Sequence, residues 1–129
     1  VGQRAEWVDS WADPKTAKVR LYYTGWSSST GEADWALRPL FSTEAWAPKL
    51  NNMSFYSNDV VDGGIAKALV STDDNEQAAL YKSVQEQLKK DLPRIPLVTE
   101  ANLSAHSKRL SGVYVMPDAN IIIDEITLK

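Results

Sequence analysis

The 129-residue chain contains no cysteine. Disulfides, thiolate nucleophiles and cysteine-based metal sites are thereby excluded. The compartment stays open, because an oxidising space and the cytosol both accept a chain without cysteine. Histidine occurs once, as His106. A lone histidine in a serine-rich stretch is far more often a surface residue than a general base. No apolar run approaches the length of a membrane-spanning helix. A surplus of positive charge is lacking too: 14 Lys and Arg stand against 17 Asp and Glu, a formal net charge of -3. Nonspecific nucleic-acid binding needs clustered cations, so nucleic acid is not expected as a partner.

Catalytic signatures are also missing. HExxH, CxxC, P-loop and GxSxG patterns do not occur. Asp73-Asp74 precedes a helix and lacks the twelve-residue calcium-loop pattern, so it reads as capping. No metal and no cofactor is expected. Ser27, Ser28 and Ser29 have no histidine near them in sequence. Glu32 and Asp34, two apart, could share acid/base work, but capping explains Asp34 more simply. The chain is read as a non-enzyme, with a small serine hydrolase as the rival from another class.

What is present is ordinary for one soluble domain: 43% hydrophobic and 24% charged residues. The chain opens on Val1 without an initiator methionine, and "QRAEWVDSWA" reads as a helix with no capping residue before it. The expectation is that a segment precedes it. "KVRLYYT", residues 18–24, alternates Val19, Leu21 and Tyr23 against Lys18, Arg20 and Tyr22, which predicts a half-buried strand. Residues 26–32 are a loop, after which Asp34 caps a short helix, "WALRPLF". Residues 42–57 are irregular but carry Trp46, Phe55 and Tyr56, so they are expected to be packed down.

"SNDVVDGGIAKALV" predicts a helix capped by Ser57 or Asn58, with Val61, Ile65, Ala68 and Leu69 on its apolar face. Gly63 and Gly64 weaken it by roughly 1 kcal/mol each relative to alanine; a close backbone approach is one reason to keep them. The next helix has Asp73 and Glu76 in capping-box spacing. Its apolar face is Tyr81, Val84, Leu88 and Leu92, and Pro93 stops it. "IPLVTE" reads as a strand start, and "GVYVMP" and "NIIIDEITL" as short strands.

The segment "YYTGWSSSTGEADWAL" sets a tryptophan beside four hydroxyls and a glycine. An apolar face with nearby donors is what a small-molecule site combines. Set against this is a plainer reading, with Trp26 a core anchor and the serines solvated. Four blocks then carry a resemblance: "YYTGWSSSTGEADWALRPLF", "FYSNDVVDGGIAKAL", "DNEQAALYKSVQEQLKKDLPRIPLV" and "SAHSKRLSGVYVMP". In this order and spacing they resemble the C-terminal part of the periplasmic solute-binding proteins for peptides and nickel, the receptors of ATP-driven (ABC) importers. Within that family the wording is that of the glutathione-binding members. It is seen in Thr24-Gly25-Trp26-Ser27, in Ser29-Thr30-Gly31-Glu32-Ala33-Asp34-Trp35 and in Ser104-Ala105-His106-Ser107-Lys108.

The resemblance implies an α/β fold: the C-terminal part of a two-lobed, type II-like binding protein, with a mixed sheet and flanking helices. Residues 1–102 would form part of the second lobe, and residues 103–129 the strands returning to the first lobe through the hinge. It implies a periplasmic or extracytoplasmic location, membrane permease subunits as partners, and a small peptide ligand, glutathione favoured. The ligand-contacting residues would be Gly25, Trp26, Ser27, Ser28, Ser29 and Thr30. In dipeptide- and oligopeptide-binding relatives an aspartate stands three residues past the tryptophan and pairs with the peptide's α-amino group. Here that position is Ser29, a neutral hydroxyl, which suits an anionic ligand better than an ordinary α-peptide. A general dipeptide, oligopeptide or nickel-complex receptor is the alternative. Exposed strand edges on the isolated piece would invite dimerisation.

Overall fold

The computed structural model describes residues 13–15, 17–18 and 21–129. The helix expected at the start of the chain lies outside the described residues. Contacts divide the chain into two units, Val1–Ile95 and Pro96–Lys129.

The first unit is helical among its described residues: α1 (Ala33–Phe41), a 3-10 turn at Thr43–Ala45, α2 (Asp59–Val70) and α3 (Asp74–Asp91). Local chemistry sets the ends of α2 and α3. The Asn58 side-chain oxygen accepts from the Val60 and Val61 amides at 2.9 and 3.3 Å. Asp73 accepts from the Asn75 and Glu76 amides at 2.8 and 3.0 Å. Each cap satisfies donors that the first helical turn leaves unpaired, for about 1 kcal/mol. The expected reciprocal half of the capping box is not made. The Ser71 hydroxyl donates to Glu76 at 2.7 Å and accepts the Asp73 amide at 3.3 Å. A nearby serine thus takes both roles. At the far end Leu92 adopts a left-handed conformation with φ 48°. Lys89 and Lys90 complement the negative end of the helix dipole, and Pro93 cannot continue it.

The core sits between α2 and α3. Val61, Ile65 and Val84 are buried, with Leu37, Phe41, Tyr56 and Leu88 packed on them. Gly64 lies at the contact: a Cβ there would stand 2.5 Å from Val84 Cγ2. The close approach entertained for the glycine pair is real at this position. Gly63 has open space instead. Leu69, expected on the apolar face, is 49% exposed. One residue beyond Ala68, it has turned about 100° past the seam.

Residues 42–57 are packed down, as their aromatics suggested. Asn52, fully buried, organises them. Its amide nitrogen donates to the carbonyls of Ser42 and Tyr56, both at 2.9 Å. Its side-chain oxygen accepts from Ser54 Oγ at 3.1 Å and the Tyr56 amide at 3.2 Å. Both amide protons and both oxygen lone pairs are therefore used. Trp46 Nε1 also donates to the Tyr56 carbonyl, at 2.8 Å. Asp62 of α2 accepts from the Thr43 amide at 2.9 Å and from its hydroxyl at 2.5 Å.

Two strand expectations fail. Residues 21–24 and 95–100 are in no strand. Leu21 and Tyr23 are 88% and 67% exposed. Alternation shows only that a segment suits a sheet; it becomes a strand when another segment supplies the ladder.

The second unit contains β1 (Leu110–Ser111), β2 (Tyr114–Val115), β3 (Ile121–Ile122) and β4 (Thr127–Leu128). The pairs are antiparallel and nested, β2 with β3 inside β1 with β4. The register sets Val115 opposite Ile121 and Leu110 opposite Leu128. The inner pair closes through a turn in which the Met116 amide donates to the Asn120 carbonyl at 2.8 Å. Helices with small antiparallel pairs make the chain α/β, as expected.

Candidate functional site

The hydroxyl-rich loop is built by its own short-range bonds. The Gly31 amide donates to the Ser28 carbonyl at 3.3 Å, closing a turn. Gly31 sits at φ 74°, where a side chain would be strained. The Ser28 hydroxyl donates to the Glu32 carbonyl at 2.9 Å, and Thr30 Oγ1 accepts the Glu32 amide at 3.2 Å. Ser28 and Thr30 thus hold the loop against the start of α1. Ser27 and Ser29 are exposed, and their hydroxyls make no hydrogen bond among the described residues.

Trp26 is fixed at one edge and open at the other. Nε1 donates to the Trp35 carbonyl at 2.9 Å, and the two rings lie 6.1 Å apart, tilted by 42°. The ring is still 37% exposed, so Trp26 is not a sealed core anchor. Gly25 is exposed, with open space where a Cβ would stand.

Asp34 does not cap α1. The cap position is Glu32, whose side chain makes no capping bond. Asp34 lies in the first helical turn and pairs forward with Arg38: Nε donates to Oδ1 at 2.9 Å and Nη2 to Oδ2 at 2.8 Å. This hydrogen bonding raises the Arg38 pKa above its ordinary value. The Asp34 carboxylate also holds up the pKa of Tyr81, although burial is the larger cause there. Carrying its charge at the positive end of the helix, Asp34 stabilises α1 without a cap.

His106 is exposed and lies in the second unit. Sequence reasoning passed over Arg94. It is half-buried, its Nη2 donates to the Asn51 carbonyl at 2.9 Å, and its guanidinium lies 5.9 Å from the centroid of the Phe41 ring. Burial lowers its pKa. The only available signal was a cation placed directly after the helix-stopping Pro93. Among the described residues no helix is long and apolar enough to cross a membrane. No group of three or more His, Asp or Glu among them could hold a metal ion.

The loop thus sets an exposed tryptophan edge beside two exposed serines and is bonded to the start of a helix. Along nearly all of its length the chain is similar to proteins named for binding glutathione. The glutathione-binding protein GsiB of Salmonella typhimurium strain LT2 is 49% identical over 128 residues, covering 99% of this chain. The protein of the same name from Escherichia coli strain K12 is 48% identical over the same length. The chain spans about a quarter of the length of these curated relatives. No protein-family model matches it.

Proposed function

We propose that the chain is the C-terminal part of the solute-binding component of an ABC importer. It works outside the cytoplasmic membrane, in the periplasm, and delivers a small peptide, glutathione, to membrane permease subunits. The observation that carries this is the 49% identity, across almost every residue, to a protein named for binding glutathione. The loop supports it. Trp26 offers an apolar edge, and Ser27 and Ser29 present hydroxyls that make no hydrogen bond among the described residues. Gly25 and the Ser27–Thr30 backbone complete the contact surface. A ligand with two carboxylates and a γ-linked ammonium fits neutral donors better than it fits the aspartate of ordinary peptide receptors.

Residues 1–102 are assigned to the second lobe, and residues 103–129 to the strands returning towards the first. Ligand held between two lobes favours the closed form, which the permease recognises; differential affinity for the two states drives the change. The protein is a receptor rather than a catalyst. In keeping with this, the Ser28 hydroxyl is spent on a backbone carbonyl, not on a base.

The test is calorimetric titration of the complete protein that carries this chain, with reduced glutathione and with an ordinary tripeptide of similar size. Saturable heat with glutathione alone is the expected result. Ser29→Asp should then weaken glutathione at least tenfold. Equal binding of both ligands would return the protein to the general peptide receptors.

A further inference from the structure

Of the described cations in the first unit, only Arg38 and Arg94 are withdrawn from solvent. Arg38 is matched by the Asp34 carboxylate. Arg94 has no carboxylate within ion-pair distance among the described residues. One donor meets the Asn51 carbonyl, and the Phe41 ring lies 5.9 Å away. A guanidinium has five N–H donors, so among the described residues most of its hydrogen-bonding capacity has no protein partner. Removing a cation from water without an anion is costly, and proteins normally pair such groups.

The group is also held in place. Phe41 packs on the buried cluster, and Asn51 precedes the Asn52 network that pins its loop. Rigid support of this kind preorganises a donor for a ligand. Phe41 ends α1, and the candidate loop is bonded to Glu32, the residue at that helix's start. Burial lowers the guanidinium's pKa, and the charge of an ionised Tyr22 partly opposes that. Tyr22 leads directly into Gly25, Trp26 and Ser27. Five residues of extended chain span at most about 18 Å, which bounds the distance from Tyr22 to the Ser27 backbone.

We propose that the half-buried Arg94 guanidinium, with its Phe41 and Asn51 supports, binds a carboxylate of the same small anionic peptide, a proposal that rests on the ligand reading above. Arginine suits the role because its planar fork matches the two oxygens of a carboxylate. Serine hydroxyls on the loop before α1 and a cation beside the end of α1 would then hold different parts of one ligand.

The experiment is titration of the complete protein with reduced glutathione and with its diethyl ester, in which both carboxylates are blocked. Wild type should bind the acid at least tenfold more tightly than the ester. Arg94→Gln should lose that preference, and Arg94→Lys should keep part of it. Wild type that binds acid and ester equally overturns the proposal, and this arm does not depend on any variant folding. Wild type that prefers the acid, with a folded Arg94→Gln protein that prefers it as strongly, also overturns Arg94's role while leaving the ligand reading intact. Wild type that binds no glutathione overturns the ligand reading, and this proposal with it.

Discussion

Adding one methyl group to each of two adjacent glycines in α2 should have opposite effects. At Gly64 an added Cβ would stand 2.5 Å from Val84 Cγ2, against an ordinary carbon contact of about 3.5–4.0 Å. Roughly an ångström of separation must be found. Val84 is fully buried and contacts the same cluster as Val61 and Ile65. As a β-branched residue in a helix it has essentially one χ1 rotamer, so it cannot swing aside. Overpacking of this kind costs about 1–3 kcal/mol. Alanine's better helix propensity returns about 1 kcal/mol. Gly64→Ala should therefore destabilise by up to about 2 kcal/mol. At Gly63 a Cβ meets nothing within 4 Å. Only the propensity term acts there, and Gly63→Ala should stabilise by up to about 1 kcal/mol. Propensity cancels between neighbouring sites, so the difference isolates packing at about 1–3 kcal/mol. Urea unfolding followed by circular dichroism measures both, with the slope checked for constancy. Val84→Ala, combined with Gly64→Ala, should cost less than the sum of the two singles. Two alanines that stabilise equally would refute the close approach of α2 to α3.

Other outcomes follow from single contacts. Asn52→Ala should destabilise by roughly 2–4 kcal/mol in the same unfolding assay, because it orphans the Tyr56 amide in a packed loop and takes one of two donors from the Ser42 carbonyl. Asp73→Ala should cost about 1 kcal/mol through loss of the α3 cap. Asp34→Asn should cost under about 1 kcal/mol, since the pair with Arg38 is partly solvated, and the loss should shrink in high salt. Tyr56, raised in pKa by burial and by donating to Asp91 at 2.6 Å, is neutral in the folded state at pH values where an unfolded tyrosine ionises. Its stabilising effect is complete below an ordinary tyrosine pKa and fades as pH rises through the elevated folded value. Tyr56→Phe should flatten the loss of stability above about pH 10, read by urea unfolding across that range.

Helices α2 and α3 were legible because their signals are local. Asn58 and Asp73 accept amides two and three residues away, and Val61, Ile65, Tyr81 and Val84 repeat at helical spacing. The candidate loop was legible for the same reason: Gly31, Ser28 and Thr30 fold it with bonds spanning at most four residues. Asp34 was misassigned because a first-turn carboxylate resembles a cap in sequence, and only the position of the Arg38 side chain distinguishes them. The strands expected at the described residues 21–24 and at 95–100 were misassigned because alternation cannot show whether a ladder partner exists.

By itself, then, the sequence determined the limits of α2 and α3, the class of fold, the loop that carries Ser27 and Ser29, and a family likeness spread over four ordered blocks. All of these rest on residues within a turn or two of one another, or on the order of words in the chain. The tertiary structure alone decided that Gly64 yields space to Val84, that Asn52 fastens an irregular loop, and that Arg94 stands half-buried with no anion beside it among the described residues. Asn52 reaches Ser42 10 residues back, Gly64 and Val84 are 20 residues apart, and Arg94 meets Asn51 across 43. Spacing along a chain does not encode which distant side chain will fill a given volume; packing does.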